Sequence, residues 1–429
     1  MKKFFLRNFI LLSFFAILIP LYSYLDFNFP YQNNFFPWDS NYYAKLAHAF
    51  KNNLSLPEVN DPWGYRLLFP FIIGKISANL DLSLLQSGIT INLISIFFTL
   101  NLFMNLCEKY NVNIFYYLFI ILVYLLYWNG QFRHTLLLGG YSFAFDTFCI
   151  SIYLYCIYKT LIYENKSYEI LSYFLSIIFI LQRPIVILFI PIFVLIFFTF
   201  LNRYKISSDS LNYKNKFFLF IIIALSCVTF IISKILIDVA DSGYSALHMI
   251  LTSIQFNLNL SDFLYIFYYA LGPIFLYFLT LLFFKKKIII DQLNKKKLPL
   301  SYKKKQILNL NYILIGLFFT LIGGADSDRF LLWFIVFLLL PFTIHSEKVF
   351  KKNKIILIFF ILISFLWTRF YVPSMPPLSF SKVFESNNHV QTNYDDKLFY
   401  GPKFIKNFKY PSQQITIDDK KYSNIYLLK

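Results

Sequence analysis

Tyr65-Arg66-Leu67-Leu68-Phe69-Pro70-Phe71-Ile72-Ile73-Gly74-Lys75 decides how this chain is laid out. Residues 66–80 are apolar enough to enter a bilayer, yet they contain Pro70, Gly74 and the charge of Lys75. A membrane-crossing helix needs about 20 apolar residues to traverse about 30 Å of hydrocarbon. The stretch is therefore read as a juxtamembrane helix that does not cross. Basic loops downstream supply the check. Segments 202–216 (Arg203, Lys205, Lys214, Lys216), 285–308 and 347–354 (Lys348, Lys351, Lys352, Lys354) carry the Lys and Arg excess that marks a cytoplasmic face. With Tyr65 outside, an odd number of crossings must precede residue 202. Only a non-crossing 66–80 gives that parity.

Upstream of this stretch, Lys2, Lys3 and Arg7 precede an apolar run from Phe9 to Leu25. No small-x-small cleavage site follows Leu18–Tyr24, so the run is read as an uncleaved first span with its N-terminus inside. It delivers an outer loop, 26–65, whose early part reads Trp38-Asp39-Ser40-Asn41-Tyr42-Tyr43. Tyr42, Tyr43, Leu46, Ala47 and Phe50 recur at helical spacing, which predicts an amphipathic helix over 39–52 lying along the membrane surface.

Downstream, the apolar runs predict further spans over 83–106, 112–128, 140–161, 168–181, 184–201, 217–239, 262–284, 309–322, 330–345 and 355–371. The runs are continuous and do not alternate with period two, so they are helices and not barrel strands. The expectation is an all-α polytopic membrane protein with about 11 transmembrane helices. Its membrane-embedded domain covers 1–371, and a small extracytoplasmic tail covers 372–429.

Composition agrees, with 58% hydrophobic and 14% charged residues. The net charge of +18 does not indicate nucleic acid, because nine lysines fall between Phe284 and Leu308 in one connecting loop. Cys107, Cys149, Cys156 and Cys227 lie in or beside apolar spans, form no C-x-x-C pair and read as small buried hydrophobes.

The same parity places the remaining polar loops outside. These are Asn129–Tyr141, the cusp Gln182-Arg183-Pro184, Ala240–Ser261 and Gly323-Gly324-Ala325-Asp326-Ser327-Asp328-Arg329. Asp39 reads as an N-cap of the 39–52 helix, as a carboxylate able to take a proton from a hydroxyl, or as both. Arg66 reads as a snorkelling helix-end cation or as a bidentate phosphate ligand. Pro184 disfavours helix at Arg183, so a turn is expected there, and an arginine at that depth should face a partner or a cavity. Asp326 and Asp328 are weak candidates for a hard cation such as Mg²⁺ or Mn²⁺, or form a capped turn. His134 and Asp146 flank Gly139-Gly140-Tyr141 without metal-ligand spacing and read as supporting residues. No P-loop, dinucleotide-binding or nucleophile-elbow pattern occurs.

Asp39 in the first outer loop, the string Tyr65-Arg66-Leu67-Leu68-Phe69-Pro70 and the cusp Leu181-Gln182-Arg183-Pro184 together resemble the GT-C superfamily. Its members are polytopic glycosyltransferases that use polyprenyl-phosphate sugars. The resemblance covers the layout of residues 1–201 and implies a lipid-phosphate sugar donor, an extracytoplasmic active site and a glycan, lipid or protein acceptor. It implies Asp39 as general base, Arg66, Arg183 and Arg329 as ligands of the leaving phosphate, and sugar or acceptor contacts from Trp38, Tyr42, Tyr43, Trp63, Tyr65 and His134. The implied setting is the bacterial inner membrane.

Three other classes compete. A polysaccharide polymerase or ligase depends on a large late outer loop, whereas 240–261 and 323–329 are short. A transporter or flippase of a lipid-linked substrate shows paired halves with polar residues at mid-bilayer, whereas no pseudo-repeat is visible here. A non-catalytic assembly subunit would carry the same spans.

Overall fold

The computed structural model describes residues 2–25, 40–57, 59, 63–126, 132, 135, 142–203, 213–237, 274, 300–322, 331–350 and 354–367, and four short strands in the tail. The helices are α1 (Lys2–Leu25), α2 (Ser40–Asn52), α3 (Leu68–Leu80), α4 (Leu84–Lys109), α5 (Ile114–Leu126) and α6 (Phe143–Tyr163). After them come α7 (Lys166–Ile180), α8 (Pro184–Arg203), α9 (Tyr213–Leu236), α10 (Leu300–Ile322), α11 (Ile335–Phe350) and α12 (Lys354–Trp367). The described chain is all-helical apart from the tail, where Thr392–Tyr394 with Lys397–Phe399 and Gln414–Ile417 with Lys420–Ser423 form two short antiparallel hairpins.

Three of the helices, α4, α6 and α9, are long and apolar enough to cross a membrane. Shorter apolar helices accompany them, and their outward faces carry large apolar side chains such as Phe98, Phe174 and Ile232. Such surfaces belong to a membrane protein. The expected span over 262–284 lies outside the described residues except for Ile274, which is buried in the core.

Cross-helix contacts set the directions. Arg7 of α1 meets Asn105 and Glu108 near the end of α4, so α1 starts where α4 finishes. Asn92 of α4 accepts from the Phe145 amide of α6, and Lys109 lies over the Tyr155 and Tyr163 rings. Helices α4 and α6 therefore run in the same direction, with α5 returning between them. Tyr173 of α7 packs on Phe218 of α9, and Glu347 of α11 accepts from the Asn113 amide at the start of α5. One end of the bundle thus gathers the starts of α1, α5 and α7 with the ends of α4, α6 and α11. The other gathers the starts of α3, α6 and α8.

Local sequence explains the boundaries. Ser83 and Gln86 form a reciprocal capping box at the start of α4. Asn165 caps α7 through the Ser167 and Tyr168 amides. Pro184 opens α8, where its missing N–H is not needed.

The stretch 66–80 forms a helix of 13 residues, which at 1.5 Å per residue is about 20 Å long and short for a crossing. It lies against α2 with its contacts advancing along both helices. Tyr43 meets Phe69, Ala47 meets Gly74, and Asn53 accepts from Lys75 Nζ at 2.6 Å. That bond takes up the one charge of α3. Gly74 is what allows the approach, since a Cβ there would stand 2.5 Å from the Ala47 carbonyl oxygen. The buried face of α2 consists of Tyr43, Ala44, Leu46, Ala47 and Ala49, while Tyr42 and Phe50 are half-buried, a shift from the expected stripe toward the small residues that face Gly74.

Candidate functional site

Leu67 at the N-cap of α3 supplies no capping side chain. The caps come instead from the turn between α7 and α8. The Leu68 amide donates to the Leu181 carbonyl at 3.3 Å, and the Phe69 amide donates to Gln182 Oε1 at 2.9 Å. Helix amides left open at an N-terminus need partners, and here a distant cusp provides them. Residues 66–69 and 181–183 are thereby locked together.

The other end of the Gln182 amide reaches Asp146. Gln182 Nε2 donates to Asp146 Oδ1 at 2.6 Å, Ser142 Oγ donates to Asp146 Oδ2 at 3.1 Å, and Arg183 pairs with Asp146 Oδ2. Asp146 is fully buried in the first turn of α6, where the helix dipole favours an anion. The Arg183 side chain is 15% exposed, and its guanidinium carbon lies 4.8 Å from the centre of the Trp333 ring. An acid with a cation, two neutral donors and a helix start around it has its charge satisfied on every side.

Arg66 differs from Arg183. Its Nη1 donates to Tyr43 Oη at 3.2 Å, and among the described residues no carboxylate pairs with it. Its neighbour Tyr65 stacks edge-on to Phe230 at 6.3 Å, and Lys234 Nζ of α9 stands 5.7 Å from the Tyr65 ring. Arg66, on Tyr43, and Lys234, over the Tyr65 ring, thus bring two cations to this end of the bundle.

Of the residues singled out from the sequence, Tyr43, Tyr65, Arg66 and Arg183 gather around the start of α3. Tyr42 is half-buried on α2, and Trp63 lies in a single 3-10 turn, Trp63–Tyr65. Trp38, Asp39, His134, Asp326, Asp328 and Arg329 lie outside the described residues. Among the described residues no group of three His, Cys, Asp or Glu side chains could hold a metal ion.

Sequence reasoning passed over Asp146 as the partner of Arg183. A usable signal was present. Asp146 is an acid inside the apolar run 143–163, and an ionisable group at that depth calls for an opposite charge. Lys234 and Trp333 carried no comparable signal.

No protein-family model, curated protein or solved structure matches this chain.

Proposed function

We propose that this chain is a multi-pass membrane glycosyltransferase of about 11 spans, N-terminus cytoplasmic, in a bacterial inner membrane. In this reading it moves a sugar from a polyprenyl-phosphate donor to an acceptor hydroxyl on the extracytoplasmic side. The observation that carries the reading is Arg66: a guanidinium at the start of α3, beside Tyr43 and Tyr65, paired with no described carboxylate. A guanidinium whose partner among the described residues is a tyrosine hydroxyl suits a phosphate monoester or diester. Arg183 has a different part. Its charge is spent on Asp146, so it positions the cusp that caps α3.

The chemistry follows as a single displacement. Asp39, the residue immediately before α2, takes the acceptor's O–H proton. The acceptor oxygen then bonds to the anomeric carbon from the face opposite the phosphate. The bond from that carbon to the phosphate oxygen breaks, and its electron pair leaves with the lipid phosphate. Arg66 stabilises the charge that grows there. Tyr42, Trp38 and Trp63 offer ring faces to the sugar, whereas Tyr43, buried against Phe69, positions Arg66 through its hydroxyl.

The test is transfer of label from radiolabelled polyprenyl-phosphate sugars by the purified protein. Wild type should transfer, and Arg66→Ala should lose roughly 10²–10³-fold in rate, the scale of removing one charge-stabilising donor. Asp39→Asn should be inactive. Equal transfer by wild type and Asp39→Asn would remove Asp39 as the base, and absence of transfer from every donor would remove the reading.

A further inference from the structure

Helix α9 ends beside the candidate site, and its last turns hold a feature that the transfer chemistry alone does not call for. Its exposed side chains Phe217, Phe220, Ala224, Val228, Ile231 and Ile235 recur every three or four residues. They make one apolar stripe along a helix long enough to cross a membrane. Any crossing helix shows lipid such a face. This one finishes on a cation, because Lys234 is exposed in the last turn, between Ile231 and Ile235 on the one side and Phe230 on the other.

A lysine in a last turn suits the negative end of its own helix, and at a membrane surface it is expected to reach for water. Lys234 leans the other way. Its Nζ stands 5.1 Å from the centre of the Phe230 ring and 5.7 Å from that of Tyr65. Phe230 in turn meets Tyr65 edge-on at 6.3 Å. The end of α9 is thereby held against the turn that leads into α3, and Lys234 is drawn onto the residue directly before Arg66.

Neither Lys234 nor Arg66 forms an ion pair among the described residues. Of the described carboxylates at this end, Asp146 is taken up by Arg183, and Asp81 follows the far end of α3, about 20 Å from its start. Asp39, Asp61 and Asp238 lie outside the described residues. Two cations thus stand on separate elements where a crossing helix leaves the hydrocarbon, and an apolar stripe descends from one of them. That pattern matches a phosphate carried on a long apolar chain, its head between Arg66 and Lys234 and its chain down α9.

We propose that Lys234 is a second ligand of the lipid phosphate, whose isoprenoid chain lies along Val228, Ile231 and Ile235, so that the donor enters from the bilayer between α9 and the Tyr65 turn. The assignment rests on the reading of Arg66 as a phosphate ligand, and adds the side from which the lipid arrives and the group that receives it.

The experiment measures binding apart from transfer. The full chain in a neutral detergent is titrated with a radiolabelled long-chain polyprenyl monophosphate, and with the uncharged polyprenol of the same length. Wild type should prefer the phosphate. Lys234→Gln should weaken phosphate binding about 5-fold, the usual share of one lysine in lipid attraction, with polyprenol binding unchanged. Lys234→Arg should keep it. Ile231→Ser with Ile235→Ser should weaken both ligands alike. Unchanged phosphate binding in Lys234→Gln, equal binding of phosphatidylglycerol by wild type, or a loss shared by Asp238→Asn, which would assign Lys234 to that acid, would each overturn the proposal. A Lys234→Gln protein that binds and transfers like wild type sinks the proposal and leaves the transfer reading standing. Weakened binding in that variant, with no transfer by wild type from any donor, does the reverse.

Discussion

Arg183 pairs with Asp146 at one end of the bundle and Arg7 pairs with Glu108 at the other, and the buried partner is the acid in the first and the base in the second. Asp146 is 0% exposed against 15% for Arg183; Arg7 is 3% exposed against 26% for Glu108. Helix position accounts for the inversion. Asp146 sits in the first turn of α6, where the helix dipole favours an anion and permits a dry site. Glu108 sits in the last turn of α4, where the dipole opposes it. It keeps partial exposure, accepts from Tyr117 Oη at 3.3 Å and draws Arg7 from α1. One pair is a buried anion with a counter-ion brought to it. The other is a buried cation held between Glu108 and Asn105.

This contrast orders the cost of breaking each pair. Arg183→Met leaves Asp146, among the described residues, with Gln182 and Ser142 as donors and without its counter-charge. Removing one partner of a buried pair costs about 3–5 kcal/mol, and this substitution should reach that range. Arg183→Met with Asp146→Asn should recover most of the loss, because an amide keeps donors and acceptors without a stranded charge. Asp146→Asn alone should cost less than Arg183→Met, since Arg183 retains exposure and the Trp333 face. Denaturant unfolding in detergent measures all three. A double variant no more stable than Arg183→Met would mean the pair is not what holds the cusp.

At the opposite end the order should reverse. Glu108→Gln strands the 3% exposed Arg7, though Asn105 Oδ1 still accepts from its Nη2 at 2.8 Å, so a loss of about 2–3 kcal/mol is expected. Arg7→Met leaves a quarter-exposed Glu108 that can meet headgroups or water, and should cost about 1 kcal/mol. Finding the arginine change costlier than the acid change at both ends would break the comparison.

Much of the helical layout was legible because apolar runs end where Lys, Asn, Pro and Ser begin. Pro184 marked the start of α8, and the short apolar run over 66–80 marked α3, a helix of 13 residues. The choice of Arg66 and Arg183 as notable residues was also legible, because each interrupts apolar sequence. Their difference was not. It depends on Asp146, 37 residues before Arg183, and on α6 packing beside the cusp. Spacing along a chain does not encode which helix faces which. The trans-capping of α3 was hidden for the same reason, since a glutamine's two bonds to separate helices leave no periodic trace.

Gln182 is where the satisfied pair and the half-buried Arg66 connect, and its replacement should give a small effect on stability with the most selective effect on the site. Gln182→Met removes the bond to the Phe69 amide and one of the donors to Asp146, while the Leu68-to-Leu181 backbone bond and the Arg183 pair remain. A buried amide left without its acceptor costs about 1–2 kcal/mol, and the flexible methionine fills the space. The start of α3 then loses one of two ties to the cusp, and Arg66 lies within three residues of it. In the proposed reaction, Gln182→Met should raise the KM for lipid-phosphate sugar severalfold with little change in kcat, because the arginine's charge is intact and only its placement has loosened. Gln182→Glu separates the two ties: its carboxylate can still accept from Phe69, but it faces Asp146 with like charge. If the glutamate variant keeps wild-type KM while losing stability, Gln182 serves the ion pair alone, and Arg66 is held in place by Tyr43.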